Sequence, residues 1–187
     1  MNKYYSVFAG VNGAGKSTLY HSKNSYIEFG RVNADEILRE FGGDWKDQRD
    51  QFKSGKIALA RIKEYFEKGI SFTQETTLAS KNVIRNARKA RELGYITEMQ
   101  YVGLDSADLA IKRISKRVSD GGHGIPDDIV RQRYEISLKN LKDAIEVFNT
   151  VYVYDNTNEY TLIAIFYNGM MIGSVDDFPG WFRKALN

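Results

Sequence analysis

Apolar residues along the chain fall into short unbroken runs that alternate with longer stretches at helical spacing. Tyr4 to Ala9 is the first run. It ends at a glycine-rich segment and reads as a buried strand, with a helix opening at Lys16. A second strand ends near Val32 and Asn33, and "ADEILREF" reads as the start of the next helix. From Asp47 to Lys68, Phe52, Ile57, Leu59, Ile62, Tyr65 and Phe66 recur mostly at helical spacing, and Gly69 stops the pattern. "ISFTQETT" is a third strand. Ser80 is the expected N-cap of a helix that runs to Leu93 and stops at Gly94. "YITEMQYVGL" is a fourth strand, and Ser106 caps a helix reaching about Val118. The breakers in "SDGGHGIP" form a loop. Pro126 then sits in the first turn of a helix to about Phe148, with Asp127 and Asp128 favouring its positive end. "TVYVY" is a fifth strand, "TLIAIFYNGMMIGSV" a hairpin turning at Asn168-Gly169, and "FPGWFRKAL" a short closing helix.

Strands alternating with helices predict an α/β fold: a doubly wound, mostly parallel sheet with a C-terminal β-hairpin. No repeat, linker or low-complexity segment interrupts it, so residues 1–187 read as one domain. The chain is 42% hydrophobic and 27% charged, an ordinary globular balance that argues against disorder. It has no cysteine, which excludes a disulfide framework and thiolate metal sites. No long apolar run is present, so neither a signal peptide nor a membrane span is expected, and the cytoplasm is the expected location. A net charge of +3 suits phosphorylated small molecules and nucleic acid alike.

"GVNGAGKST" supplies the chemistry that charge leaves open. Gly10 to Ser17 fit G-x-x-x-x-G-K-[ST] between a predicted strand and a predicted helix. The glycines let backbone N–H groups face phosphate oxygens. Gly10, Asn12, Gly13, Ala14, Gly15, Lys16, Ser17 and Thr18 are therefore the candidate ATP contacts. Lys16 is expected to reach the β- and γ-phosphates, and the Ser17 hydroxyl to sit on Mg²⁺. The pattern makes the fold P-loop NTPase and kinase-like.

Three further groups bear on what receives the phosphate. The third strand exits through "FTQETT", where Glu75 is placed to bind a substrate hydroxyl or a Mg²⁺-bound water, and Thr76 and Thr77 a phosphate or sugar. A polar strand exit that caps a helix is the alternative. Asp35 lies just past the second strand, at the carboxyl end of the sheet, where a carboxylate could orient an acceptor hydroxyl and take its proton. A helix-start role is its alternative, and Asn33 and Glu36 share it more strongly. In "KRISKRVSDGGHGIPDDIVRQRY", two helices flank a glycine loop. Arg117, Arg131 and Arg133 are candidates for an arginine lid over about 106–148, against the alternative of a solvated basic face, which is assigned to Lys112, Arg113 and Lys116. His123 in the loop is a candidate phosphate contact, and Asn156 and Thr157 in "YDNTNEY" are candidate base contacts or turn residues.

Together "GVNGAGKST", "VNADEI", "QETTLAS", "RVSDGGHGIPDDIVRQRYEISLKNL" and "VYDNT" resemble the zeta toxin / UDP-N-acetylglucosamine kinase family of P-loop kinases, in the family's order and over nearly the whole chain. The resemblance implies roles for matching positions. Lys16 is the P-loop lysine, Asp35 activates a sugar 3′-hydroxyl, Glu75 and Thr77 hold the substrate side, and Arg117 reaches the ATP phosphates. The family's second lid arginine stands three residues before the lid proline, where this chain has His123; Arg131 or Arg133 is the expected substitute. The resemblance further implies ATP and Mg²⁺ as cofactors, a nucleotide sugar such as UDP-N-acetylglucosamine as acceptor, and an antitoxin protein as partner. The competing readings are a metabolic or nucleotide-directed kinase without a toxin role, and an NTPase or nucleic-acid-binding module. Against the last, the basic residues cluster at the lid and no aromatic strand platform is evident.

Overall fold

A computed structural model describes residues 2–23, 26 and 28–187. Its strands are β1 (Lys3–Ala9), β2 (Gly30–Val32), β3 (Phe72–Thr76), β4 (Tyr95–Gly103), β5 (Thr150–Asp155), β6 (Thr161–Tyr167) and β7 (Met170–Ser174). Its helices are α1 (Lys16–Ser22), α2 (Ala34–Glu40), α3 (Gln48–Lys68), α4 (Asn82–Glu92), α5 (Ala107–Ser119), α6 (Asp127–Val147) and α7 (Gly180–Leu186). The strands form one sheet in the order β2-β3-β1-β4-β5-β6-β7. The first five in that order are parallel, and β6 and β7 return antiparallel. The expected α/β fold, mostly parallel with a C-terminal hairpin, is what forms. Asn168 and Gly169 both take positive φ, 47° and 81°, the primed turn that an Asn-Gly pair favours.

The central strand β1 shows why the sheet is covered on both sides. Successive side chains of a strand point to opposite faces. Phe8 meets Tyr20 of α1 edge-on at 5.3 Å, while Tyr5 meets Phe66 of α3 at 5.7 Å and Phe148 at 6.2 Å. Tyr5, Val7, Phe8 and Ala9 are fully buried. Burying such side chains on each face is worth about 1.5–3 kcal/mol apiece and holds the helices against the sheet.

The chain steps from β1 out to β2, back to β3 beside β1, and then to β4 on the other side of β1. That reversal opens a crevice at the carboxyl end of β1, where open α/β sheets bind ligands. The register lines up the exits: Ala9 pairs with Thr76 of β3 and with Tyr101 of β4, and Gly103 of β4 with Asp155 of β5.

Helix ends follow local chemistry, with one departure. Asn33 accepts from the Asp35 amide to cap α2, Asp47 from the Arg49 amide to cap α3, and Ser106 from the Leu109 amide to cap α5. Gly69 ends α3 in the left-handed conformation. Ser80 does not cap α4: the helix starts at Asn82, with Lys81 in the cap position and no side-chain cap. After β3 the chain turns instead through Leu78, a fully buried residue with φ of 57°. The Thr76 hydroxyl accepts from the Leu78 amide, and the buried Asn140 side chain of α6 donates to the Leu78 carbonyl at 2.9 Å. These bonds fix the exit of β3 and postpone the helix. Among the described residues no helix is long and apolar enough to cross a membrane.

Asn140 thus satisfies a buried carbonyl in a left-handed turn next to the site. Asn140→Ala is expected to lower the unfolding free energy by about 1–3 kcal/mol, the cost of leaving such an acceptor unpaired. Urea unfolding measures it, and an unchanged midpoint and slope would rule out the clasp.

Candidate active site

The loop after β1 takes its shape from three glycines. Gly10, Gly13 and Gly15 adopt φ of 137°, 80° and 99°, which L side chains rarely tolerate. A Cβ at Gly10 would run into the Val102 carbonyl, and one at Gly15 into the Tyr160 hydroxyl and the Asn156 amide. Gly15 also precedes α1 without any side-chain cap, so the first-turn amides are left for another acceptor.

Lys16 is almost fully buried. Its ammonium donates to the Val11 carbonyl at 3.1 Å and lies 4.0 Å from Glu75 Oε1. Burial pushes its pKa down; Glu75 and Asp35 oppose this, while Arg117 and Arg133 add to it. One side chain therefore senses two carboxylates and two guanidiniums that come from four separate parts of the chain.

Glu75 is the most heavily bonded of these groups. The Ser17 hydroxyl sits 3.0 Å from each of its oxygens, and Arg31 Nη2 and Asn33 Nδ2 each donate to Oε2 at 3.1 Å. Its carboxylate is thus turned toward the phosphate loop and the Ser17 hydroxyl. That favours the metal-side role over direct contact with an acceptor hydroxyl. Thr77 follows β3, half-buried beside the Leu78 turn, and Thr76 is committed to that turn. Asp35 is exposed in the first turn of α2. It is not the cap, which is Asn33; Asp35 supplies its backbone amide to that cap and stands as an acid in the first turn of α2. Its charge raises the pKa values of both Lys16 and Arg133 against the lowering by burial.

The two candidate substitutes for the second arginine part company. Arg133 is half-buried and reaches the phosphate loop, donating to Asn12 Oδ1 at 3.1 Å; burial lowers its pKa and Asp35 opposes the shift. Arg131 points away and pairs with Asp108 at 2.5 Å, with both side chains more than half exposed. Successive helical positions face different sides, and Arg131 falls on the outer one. Arg117 braces the loop between α5 and α6, donating to the His123 carbonyl through Nε at 2.9 Å and Nη2 at 2.6 Å. The ring of His123, the expected phosphate contact, stacks on Trp45 at 6.4 Å between centroids.

Asn156 corrects a further expectation. Its side-chain nitrogen is buried and donates to the Ala14 carbonyl at 2.8 Å, so it supports the phosphate loop. The Tyr160 hydroxyl adds a bond to the Gly15 carbonyl, and Thr18 lies beside that hydroxyl. Arg113 is not solvated: it donates to the carbonyls of Asn156 at 2.8 Å and Thr157 at 3.1 Å. Sequence reading missed Arg31, Arg113 and Tyr160. For Arg31 a signal existed, a charged residue on a buried strand just before the ligand-facing end. Arg113 and Tyr160 act on backbone carbonyls, and residue type alone does not reveal that.

A parallel sheet with a glycine loop at its switch point, a buried loop lysine, converging carboxylates and an arginine-bearing helix pair define the class: a P-loop phosphotransferase. Residues 2–166 match the family model described as Zeta toxin, and the chain belongs to that family. It is 29% identical over 127 residues to an uncharacterised protein of Haemophilus influenzae, covering 68% of this chain and 89% of that one. Among solved structures it resembles a chain of the PezAT chromosomal toxin–antitoxin system of Streptococcus pneumoniae, with TM-score 0.59, 16% identity and 86% of this chain against 70% of that one. It also resembles AvrRxo1-ORF1:-ORF2 with ATP, with TM-score 0.76, 15% identity and all of this chain against 64% of that one.

The arginine geometry separates two variants. Arg133→Ala is expected to lower phosphoryl transfer by roughly 10²-fold or more, the scale for losing one preorganised donor to developing charge. Arg131→Ala, removing an exposed pair, should change it by less than about 5-fold, since such pairs contribute only about 0–1 kcal/mol. Steady-state turnover of both variants checks this, and the reverse order would reassign the arginine.

Proposed function

We propose that the protein is an ATP- and Mg²⁺-dependent kinase acting, as one domain, on a hydroxyl of a small molecule, with a nucleotide sugar such as UDP-N-acetylglucosamine as the leading acceptor. The observation that carries this reading is the glycine loop with Lys16 4.0 Å from Glu75, the Ser17 hydroxyl 3.0 Å from Glu75 and Arg133 bonded to Asn12. A phosphoryl group in transfer needs positive charge around it and a carboxylate on the side of the attacking oxygen.

The residues divide the work by position. The amides of the glycine loop hold phosphate oxygens, and Lys16 turns from the Val11 carbonyl toward them. The hard oxygens of Ser17 and Glu75, at hydrogen-bond distance from each other, suit Mg²⁺, which needs only one or two protein oxygens beside the phosphates. When bound, the metal neutralises charge that develops on the phosphate oxygens. Asp35 orients the acceptor hydroxyl and takes its proton as the hydroxyl oxygen bonds to the γ-phosphorus and the bond from that phosphorus to the bridging oxygen of the β-phosphate breaks, leaving ADP. Arg117 and Arg133 bring cationic charge from the α5–α6 lid and help to exclude water. Thr77, next to the β3 exit, is proposed to contact the acceptor.

Membership in the zeta toxin family, and a structural neighbour that is part of a toxin–antitoxin system, support a toxin role in the cytoplasm with an antitoxin as partner. The test is incubation of the purified protein with Mg²⁺, ATP and a panel of nucleotide sugars, sugars and nucleotides, read by mass spectrometry. A phosphorylated acceptor is expected. ATP turnover that responds only to DNA or RNA would overturn the proposal.

Asp35→Asn keeps the shape of the side chain but removes its basicity. It is expected to lower transfer by roughly 10²-fold or more, with ATP affinity within a few-fold. Lys16→Ala should remove transfer while leaving the fold intact. Full transfer by Asp35→Asn would return that residue to a helix-start role.

A further inference from the structure

Asn33 is buried and bonds both to the Glu75 carboxylate and to the backbone amide of Asp35. Its two side-chain ends are used differently. Oδ1 accepts from the Asp35 amide at 2.9 Å and so sets the first turn of the helix that carries Asp35. Nδ2 donates to Glu75 Oε2 at 3.1 Å. The orientation of the amide is fixed by its partners, because an N–H must meet an acceptor and a carboxylate offers only acceptors. Arg31 shares the hold on Oε2, also at 3.1 Å, and is clamped in turn by Glu36 at 2.8 Å and by the Tyr20 ring, 3.5 Å below the guanidinium. Oε2 is thereby tied to the β2 side. Oε1 is left toward Lys16, 4.0 Å away, and both oxygens remain within reach of Ser17.

We infer that Asn33 is a positioning residue that couples the two halves of the phosphotransfer site, fixing Glu75 on the metal side through its nitrogen and Asp35 on the acceptor side through its oxygen. The inference rests on the kinase reading above and deepens it. A cap alone does not need an amide. Ser and Asp cap a helix about as well as Asn, but an ionised Asp has no proton to donate to Glu75, and Ser is shorter and has a single oxygen in place of the separate nitrogen that Asn33 aims at Glu75. Asp would also set a second negative charge against Glu75. A helix-cap role and a coupling role therefore predict different outcomes for the same substitutions.

The experiment measures binding of a fluorescent ATP analogue with and without Mg²⁺, which needs no knowledge of the acceptor. It compares the wild type with Asn33→Ser, Asn33→Asp, Glu75→Gln and Asn33→Ser combined with Glu75→Gln, with thermal melting to check folding. In the wild type, Mg²⁺ is expected to tighten binding. Asn33→Ser should reduce that tightening by about 5- to 10-fold, the scale of one net intramolecular hydrogen bond, and leave metal-free affinity within about 2-fold. Asn33→Asp should reduce the tightening at least as much. In the double variant the effect of Asn33→Ser should vanish, because its target is already neutral, giving strong non-additivity. Folded Asn33→Ser and Asn33→Asp proteins with the full Mg²⁺ effect would overturn the inference, as would additive losses in the double variant, while leaving the kinase reading intact. If Asn33→Asp unfolds the chain, the Asn33→Ser cycle decides alone. A wild type that binds the analogue without any response to Mg²⁺ would instead bring down the metal-dependent kinase reading, and the inference with it.

Discussion

A nearly buried carboxylate is stable only if its charge is answered by donors, and Glu75 organises the site by that requirement. Its partners come from α1 through Ser17 and Lys16, from β2 through Arg31, and from the cap of α2 through Asn33. These partners come from three segments, so meeting one charge fixes the relative placement of all three. The parallel register brings their strand ends to a common level, and the carboxylate ties those ends together. A metal arriving at Ser17 would meet oxygens already aimed by partners on the far side.

Opposite this cluster, the helix pair α5–α6 contributes the other sign of charge. Arg133 reaches the glycine loop, while Arg117 is engaged with the loop between the two helices. Lys16 is depressed by its burial and by these guanidiniums and raised by the carboxylates, so its charge depends on the whole constellation. A phosphate placed among them would relieve the crowding of like charges. The same electrostatic argument explains why three cations can share so small a space in a chain with only a modest net charge.

Much of this was legible in the sequence. The glycine motif, the strand–helix alternation and the Asn-Gly turn each rest on local backbone rules, and the sheet, with its antiparallel tail, follows from them. Asp35 and Glu75 could be singled out because the carboxyl ends of parallel strands gather ligands. What did not show were the choices that depend on packing. Whether Arg131 or Arg133 turns inward depends on how α6 is rotated against α5. Ser80 looked like a cap, but the buried turn at Leu78 moves the helix start past it. Asn156 and Arg113 looked like surface polar residues, yet both end on carbonyl oxygens. Side chains that satisfy main-chain groups far away in sequence leave little trace in residue spacing.

The bonds to the carbonyls of Ala14 and Gly15 carry a consequence for how a nucleotide is received. Asn156 and Tyr160 grip the outer side of the glycine loop, and Arg113 steadies the segment from which they come. The loop is therefore braced from behind through the carbonyls of Ala14 and Gly15, before any phosphate arrives. Such a loop admits its ligand without an ordering transition of its own. The glycine loop is thus a braced platform, and Arg133 of α6 already rests on it through Asn12.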